Sequence, residues 1–394
     1  MQEPRALLQD RDVKRWYDNV ARGSQVTADV YLRRLASFCR TNNLTPVSLL
    51  SLDIKKIQDI LLDTVTDMEN QGKAGSYIHS VIKAVRSWLS FNDIQISKKI
   101  KIRGVMETPT LKNERVPTQE ELRRIFLSAD PQQRVACVLM AHSGLRPETM
   151  GNYRGDDGLN VGDFPELVFE NKQVNFTKMP AMVKVRSTLS KAGHEYFTFL
   201  TDEGCQYVKE YLESRMREGE LIDGSSPLLI PKKDSARKKR LGSHITTTNI
   251  GDMVRKAIKN AGLSLRPYVL RSYFDTQLMI AESKGTMLRD YRTFFMGHKG
   301  DIENRYTTNK HRLPEDVIED MRASYKNSSD LLRSYKKESL DQEQLSNAFK
   351  RQFLLVSGFS EEEIDKLDIS KLSNEDIQRM YREKFFGTAG ARQT

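Results

Sequence analysis

Apolar positions repeat with helical spacing over most of the chain. Val30, Leu32, Leu35 and Phe38 form one stripe, and Ile78, Val81, Ile82, Val85, Trp88 and Leu89 form a second. Both follow the three-and-four spacing of a helix with one buried face. Leu49 to Val65 adds a further helix or two, and Gly72, Gly75 and Ser76 punctuate before the last long one. A helical bundle is therefore expected from about Thr27 to Phe91, within a first domain of residues 1–96. The polar, basic stretch that follows has little periodicity and predicts a linker over 97–115.

A second domain is expected over 116–310. Thr118 and Glu121 have the spacing of a capping box ahead of Leu122, Ile125 and Phe126. A more apolar helix runs from about Gln133 through Met140, and Ser143-Gly144-Leu145-Arg146-Pro147 breaks it, leaving Arg146 at a helix terminus. Between Glu166 and Thr201 the period changes to alternation, with Val168, Phe169, Val174, Phe176, Val183, Val185, Tyr196, Phe197 and Phe199. This predicts a small antiparallel sheet with a hairpin at Lys191 to His194. The fold class is then mainly α with a small antiparallel β-sheet (α+β). A helical tail is expected over 311–394, with apolar positions at Leu345, Phe349, Phe353 and Val356 and capping boxes at Ser360/Glu363 and Ser373/Asp376.

Composition narrows the partner. The chain has 394 residues, 63 Lys plus Arg against 53 Asp plus Glu, and a net charge of +10. The tail is slightly acidic, so the basic excess belongs to the two leading domains, which favours a polyanion. The longest apolar run, Val135 to Ala141, is far short of the roughly 20 residues of a spanning helix, and Met1 to Val20 has no secretory apolar core. No membrane segment is expected, and the protein is expected to be intracellular, either cytoplasmic or nucleoid-associated. Cys39, Cys137 and Cys205 are widely spaced and lack clustered histidines, so neither disulfides nor a metal site is expected. The run Lys232 to Arg240 is best read as a basic loop facing a nucleic acid.

Four segments of the second domain share one chemistry. They are Gly144-Leu145-Arg146, the hairpin with Lys191, Val269-Leu270-Arg271-Ser272 with Tyr268 before it, and Gly297-His298 followed by Tyr306. Two guanidiniums can neutralise the non-bridging oxygens of a phosphodiester in its pentacoordinate transition state, which points to Arg146 and Arg271. A phenol that attacks keeps the phosphoester energy in a reversible covalent link, a role for Tyr306, with Tyr291, Tyr325 and Tyr335 as alternatives. A lysine on a hairpin tip can protonate the departing sugar oxygen; Lys191 is the first candidate, ahead of Lys184 and Lys178, and His298 can support the phosphate. His142, His194 and His244 read as structural or exposed.

In this order the residues resemble the catalytic set of the tyrosine recombinase (phage-integrase) family, over Thr27 to about Asn309. The resemblance implies a core-binding domain and a catalytic domain that clamp double-stranded DNA. It also implies strand cleavage and rejoining through a 3′-phosphotyrosyl intermediate without ATP or metal, and a homotetramer on DNA. The tail lies outside the resemblance; its near-neutral charge and amphipathic stretches favour contact with a neighbouring protomer over contact with DNA. Tyr268 stands where the family has the first His of His-x-x-Arg, Thr149 where an acid is frequent, and the interval from His298 to Tyr306 is one residue shorter. Such changes fit a divergent branch, for instance that of archaeal mobile elements. Two other readings of the residues stay open: a DNA-binding protein of this fold that has lost catalysis, and a strand relaxase like type IB topoisomerases.

Overall fold

The computed structural model describes residues 4–106, 114–170, 173–231, 244–300, 302, 313–335 and, with gaps, 350–380. Tyr306 and the basic run 232–240 lie outside the described residues, as do Leu345, Phe349, Val356 and the Ser373 half of the Ser373/Asp376 box. The chain divides into Met1–Ser334 and Tyr335–Thr394.

The first bundle comprises α1 (Arg11–Gly23), α2 (Gln25–Thr41), α3 (Pro46–Leu50), α4 (Ile54–Asn70) and α5 (Gly75–Phe91). Three of the four long helices start at a side-chain acceptor: Asp10 caps α1, Ser24 caps α2 and Asp53 caps α4, while α5 starts at Ala74 without one. The two predicted stripes face inward, with Leu35, Ile78, Val85, Trp88 and Leu89 fully buried. Trp16 and Trp88 meet edge to face at 5.6 Å, and the Trp88 Nε1–H donates to the Pro46 carbonyl at 3.0 Å. Helix α1 was not expected from the pattern, because Val13 and Trp16 are its only fully buried positions.

Part of the expected linker is attached to this bundle. Ile94, Ile96, Ile100 and Ile102 pack on its core, Arg86 donates to the Lys98 carbonyl at 2.6 Å, and the Arg103 N–H donates to Glu69 at 2.7 Å. Isoleucines placed two apart among lysines carry no helical period, which is why the stretch reads as linker.

The second core is built from α6 (Gln119–Ser128), α7 (Pro131–Ser143), α8 (Pro147–Met150), α9 (Asp202–Arg217), α10 (Thr247–Asn260), α11 (Val269–Ser283) and α12 (Arg289–Phe295). The Thr118/Glu121 capping box is present. Strands β1 (Leu167–Glu170) and β2 (Gln173–Phe176) form one antiparallel ladder, and β3 (Ala181–Val185) and β4 (Tyr196–Leu200) form another, with Ala181 opposite Leu200 and Val185 opposite Tyr196. The fold class is mainly α with two small antiparallel sheets, where alternation alone suggested one. Among the described residues no helix is long and apolar enough to cross a membrane.

The helix Glu315–Leu332 falls within the stretch expected as the tail and packs on the second core. Its Met321, Tyr325 and Leu332 recur at helical spacing and are fully buried in the second core. Arg322 from the same helix pairs with Glu166 at 2.6 Å, and Glu166 also accepts the Met182 N–H at 2.6 Å. The unit beyond Ser334 has its own small cluster of Leu354, Ile364 and Ile377, and the Ser360/Glu363 box is reciprocal.

Tyr325 Oη donates to the His142 carbonyl at 2.5 Å and so ties this helix to the end of α7. Tyr325→Phe leaves that buried carbonyl without its donor and should cost about 1–3 kcal/mol. Urea unfolding should show a lower midpoint with an unchanged slope; an unchanged midpoint would mean that the bond contributes nothing net.

Candidate functional site

Helix α7 ends where Gly144 takes φ +63°, a left-handed conformation that favours glycine. A Cβ there would also come within 2.4 Å of the Phe274 ring, so glycine is required twice over. Two residues later Arg146 is extended, at φ −79° and ψ 149°, as a residue before proline prefers. Its half-buried side chain has no hydrogen-bond or ion-pair partner among the described residues. Thr149, where an acid was the family pattern, donates its hydroxyl to the Leu189 carbonyl at 3.2 Å. That bond joins the Arg146 turn to the connection between β3 and β4, which carries Lys191.

Arg271 lies in the first turns of α11 and is fully buried. Its Nη1 donates to the Gly144 carbonyl and its Nη2 to the Met296 carbonyl, the latter at 2.6 Å; among the described residues Nε has no hydrogen-bond acceptor of full geometry. Among the described residues no carboxylate pairs with it. Desolvation lowers its pKa, and the charge of Arg146 lowers it further. A buried guanidinium beside a second arginine, without an acid, is costly unless an anion arrives.

Helix α12 ends in the same way at Gly297, φ +60°. A Cβ there would stand 2.6 Å from the Tyr196 ring, so the ring of β4 occupies the space that only glycine leaves free. The next residue, His298, is exposed, and its N–H donates to the Thr293 carbonyl at 3.1 Å. Partial desolvation lowers the His298 pKa, and the charges of Arg271 and then Arg146 lower it more. Arg292 adds to this from a position where it is itself paired with Asp275 at 2.8 Å and Glu282 at 2.9 Å.

Arg146, Arg271 and His298 therefore share one electrostatic neighbourhood. Tyr268, 48% exposed at the start of α11, belongs to it, since its phenol interacts with Arg271. Lys191 is exposed and lines a cleft of about 740 Å³ with Gln25, Glu148, Tyr153 and Arg154. Of its rivals, Lys178 is paired with Glu319 at 3.1 Å, and Lys184 is exposed on β3. Arg154 crosses the cleft to Gln25 at 2.6 Å. Among the alternative tyrosines, Tyr325 is fully buried and Tyr291 partly so.

Of the other histidines, His142, His194 and His244 are buried. His142 Nδ1 lies 2.7 Å from Thr201 Oγ1, His244 Nε2 lies 2.8 Å from Asn160 Oδ1, and His194 packs beside Tyr196. Among the described residues no three His, Cys, Asp or Glu side chains converge as metal ligands. The residue at this site that sequence pattern did not flag is Tyr196. On β4 it looks like any other inward-facing aromatic, because Phe197 and Phe199 beside it are buried too.

No protein-family model matches the chain, and no curated protein does. Among solved structures it is similar to XerA recombinase, at 17% identity over 81% of this chain and 97% of that one, with a TM-score of 0.33. It is also similar to a lambda integrase dimer bound to a core site (16%, 77% and 96%, TM-score 0.40). A third is XerH recombinase bound to a palindromic difH substrate after cleavage (16%, 75% and 79%, TM-score 0.44).

Because two guanidiniums hold the His298 pKa down, Arg146→Ala should raise it toward the ordinary value of about 6.5. Imidazole resonances followed through a pH titration check this, and an unchanged midpoint would place the Arg146 charge away from the ring. The sign for stability follows: a His with a folded pKa below its unfolded one takes up protons on unfolding, so its contribution is present above the unfolded pKa and is lost as pH falls through the folded one.

Proposed function

We propose that this protein is a site-specific DNA recombinase of the tyrosine recombinase type. The observation that carries the reading is the buried, acid-free Arg271 beside Arg146 and His298. That arrangement suits a phosphodiester, whose non-bridging oxygens would take hydrogen bonds and charge from the two guanidiniums.

In the proposed reaction Tyr306 attacks the scissile phosphorus. A 3′-phosphotyrosyl bond forms, the bond to the 5′ oxygen of the next nucleotide breaks, and Lys191 gives that oxygen its proton. Attack by a 5′-hydroxyl on the phosphotyrosine reverses the step and releases the tyrosine. His298, held neutral by its neighbours, and Tyr268 donate hydrogen bonds to the phosphate. The chemistry consumes no ATP and uses no metal, because the cations are side chains and the bond energy is conserved. Double-stranded DNA would lie between the first bundle and the second core, where Lys191 faces the cleft. Strand exchange would take four protomers, with the unit beyond Ser334 in contact with a neighbour.

Trapping of covalent protein–DNA complexes on nicked suicide substrates tests this. The parent chain should form the adduct in the presence of a chelator, and Tyr306→Phe should bind DNA yet form none. Adduct formation by Tyr306→Phe would move the nucleophile elsewhere. Arg271→Lys keeps a charge but loses the fork that spans Gly144 and Met296, so its cleavage rate should fall by on the order of a hundredfold; parental cleavage by that variant would make Arg271 a structural residue only.

A further inference from the structure

Tyr196 is buried to 1% exposure, and among the described residues its hydroxyl makes no hydrogen bond of full geometry, although Thr149 and Arg271 stand beside it. Arg271 Nε, a second buried donor without an acceptor of full geometry, belongs to the same neighbourhood, because the Tyr196 phenol interacts with both Arg271 and Arg146. A buried donor left unpaired costs about 1–3 kcal/mol, so two together are a standing cost that a bound acceptor would remove. Other buried hydroxyls lack this setting: Tyr211, for example, faces Arg215, which is already paired with Glu220 at 2.5 Å. The neighbouring Thr149 hydroxyl donates its proton to the Leu189 carbonyl.

We propose, resting on the functional reading above, that Tyr196 is a further anion-binding residue of this site, its hydroxyl donating to a phosphate oxygen received by Arg146 and Arg271. Gly297 makes the placement possible, because any side chain there would displace the ring. Burial pushes the phenol pKa up, against the opposing pull of the two guanidiniums, so the group keeps its proton and remains a donor. The arginines supply charge; the phenol adds a neutral, directional donor whose place is set by packing against Phe294 and His194. The ligand class is a tetrahedral phosphate oxyanion, either free phosphate or a phosphodiester.

Thermal unfolding of the full chain tests this, with inorganic phosphate and dimethyl phosphate as probes, since a ligand bound only by the folded state raises Tm. Both anions should raise the Tm of the parent, and Arg146→Ala should abolish the rise. Tyr196→Phe removes only a hydroxyl that makes no hydrogen bond of full geometry, so its Tm without anion should stay within about 2 °C of the parent. The midpoints of both anion titrations should weaken about tenfold, the worth of one hydrogen bond to a charged group. Equal midpoints in Tyr196→Phe and the parent would overturn the assignment, and so would a large drop in its Tm without anion, which would make the hydroxyl structural. A rise with inorganic phosphate alone, weakened in Tyr196→Phe, would keep Tyr196 in an anion pocket while removing the phosphodiester reading. No rise with either anion would overturn both.

Discussion

The buried guanidinium of Arg271 is the constraint around which the second domain is arranged. Its two Nη groups bond to carbonyls at the ends of α7 and α12, at Gly144 and Met296. These are helix C-terminal carbonyls, which have no intrahelical donor and carry the negative end of the helix dipole. They satisfy the hydrogen-bonding needs of the cation without cancelling its charge. A carboxylate in the same place would neutralise the pocket and compete with an incoming anion.

The same contact sets the positions of the neighbouring groups. The α7 end that Arg271 grips leads directly to Arg146, and the α12 end leads through Gly297 to His298. Each end turns on a glycine in the left-handed region, and each glycine is pressed by an aromatic ring, Phe274 in one case and Tyr196 in the other. One side chain on α11 thus fixes the direction in which two separate segments leave their helices. Tyr325 also holds the His142 carbonyl, so the helix Glu315–Leu332 supports the end of α7.

Much of the architecture is legible from periodicity. The stripes of α2 and α5, the capping box of α6, the break after α7 and the alternating strands all depend on local steric and burial rules, which one segment can express alone. Where the reading fell short, the missing information was nonlocal. Helix α1 buries only Val13 and Trp16, the isoleucines of the basic stretch dock on a bundle formed elsewhere, and Glu315–Leu332 belongs to the second core through partners far along the chain.

The candidate site divides along the same line. The amino-acid order alone determined which residue types are present: two arginines, a lysine on a strand connection, a histidine after Gly297 and a tyrosine beyond it. It also determined the helix breaks that expose them, because glycine and proline act through backbone geometry. Only the tertiary structure decided that Arg271 is buried without an acid among the described residues, that Lys178 is taken by glutamate while Lys191 faces the cleft, and that the Tyr196 phenol is buried within the field of the two arginines. The reason is physical: the charge state of a side chain and the use of a hydroxyl depend on desolvation and on neighbours brought together from distant segments, and no local pattern encodes either.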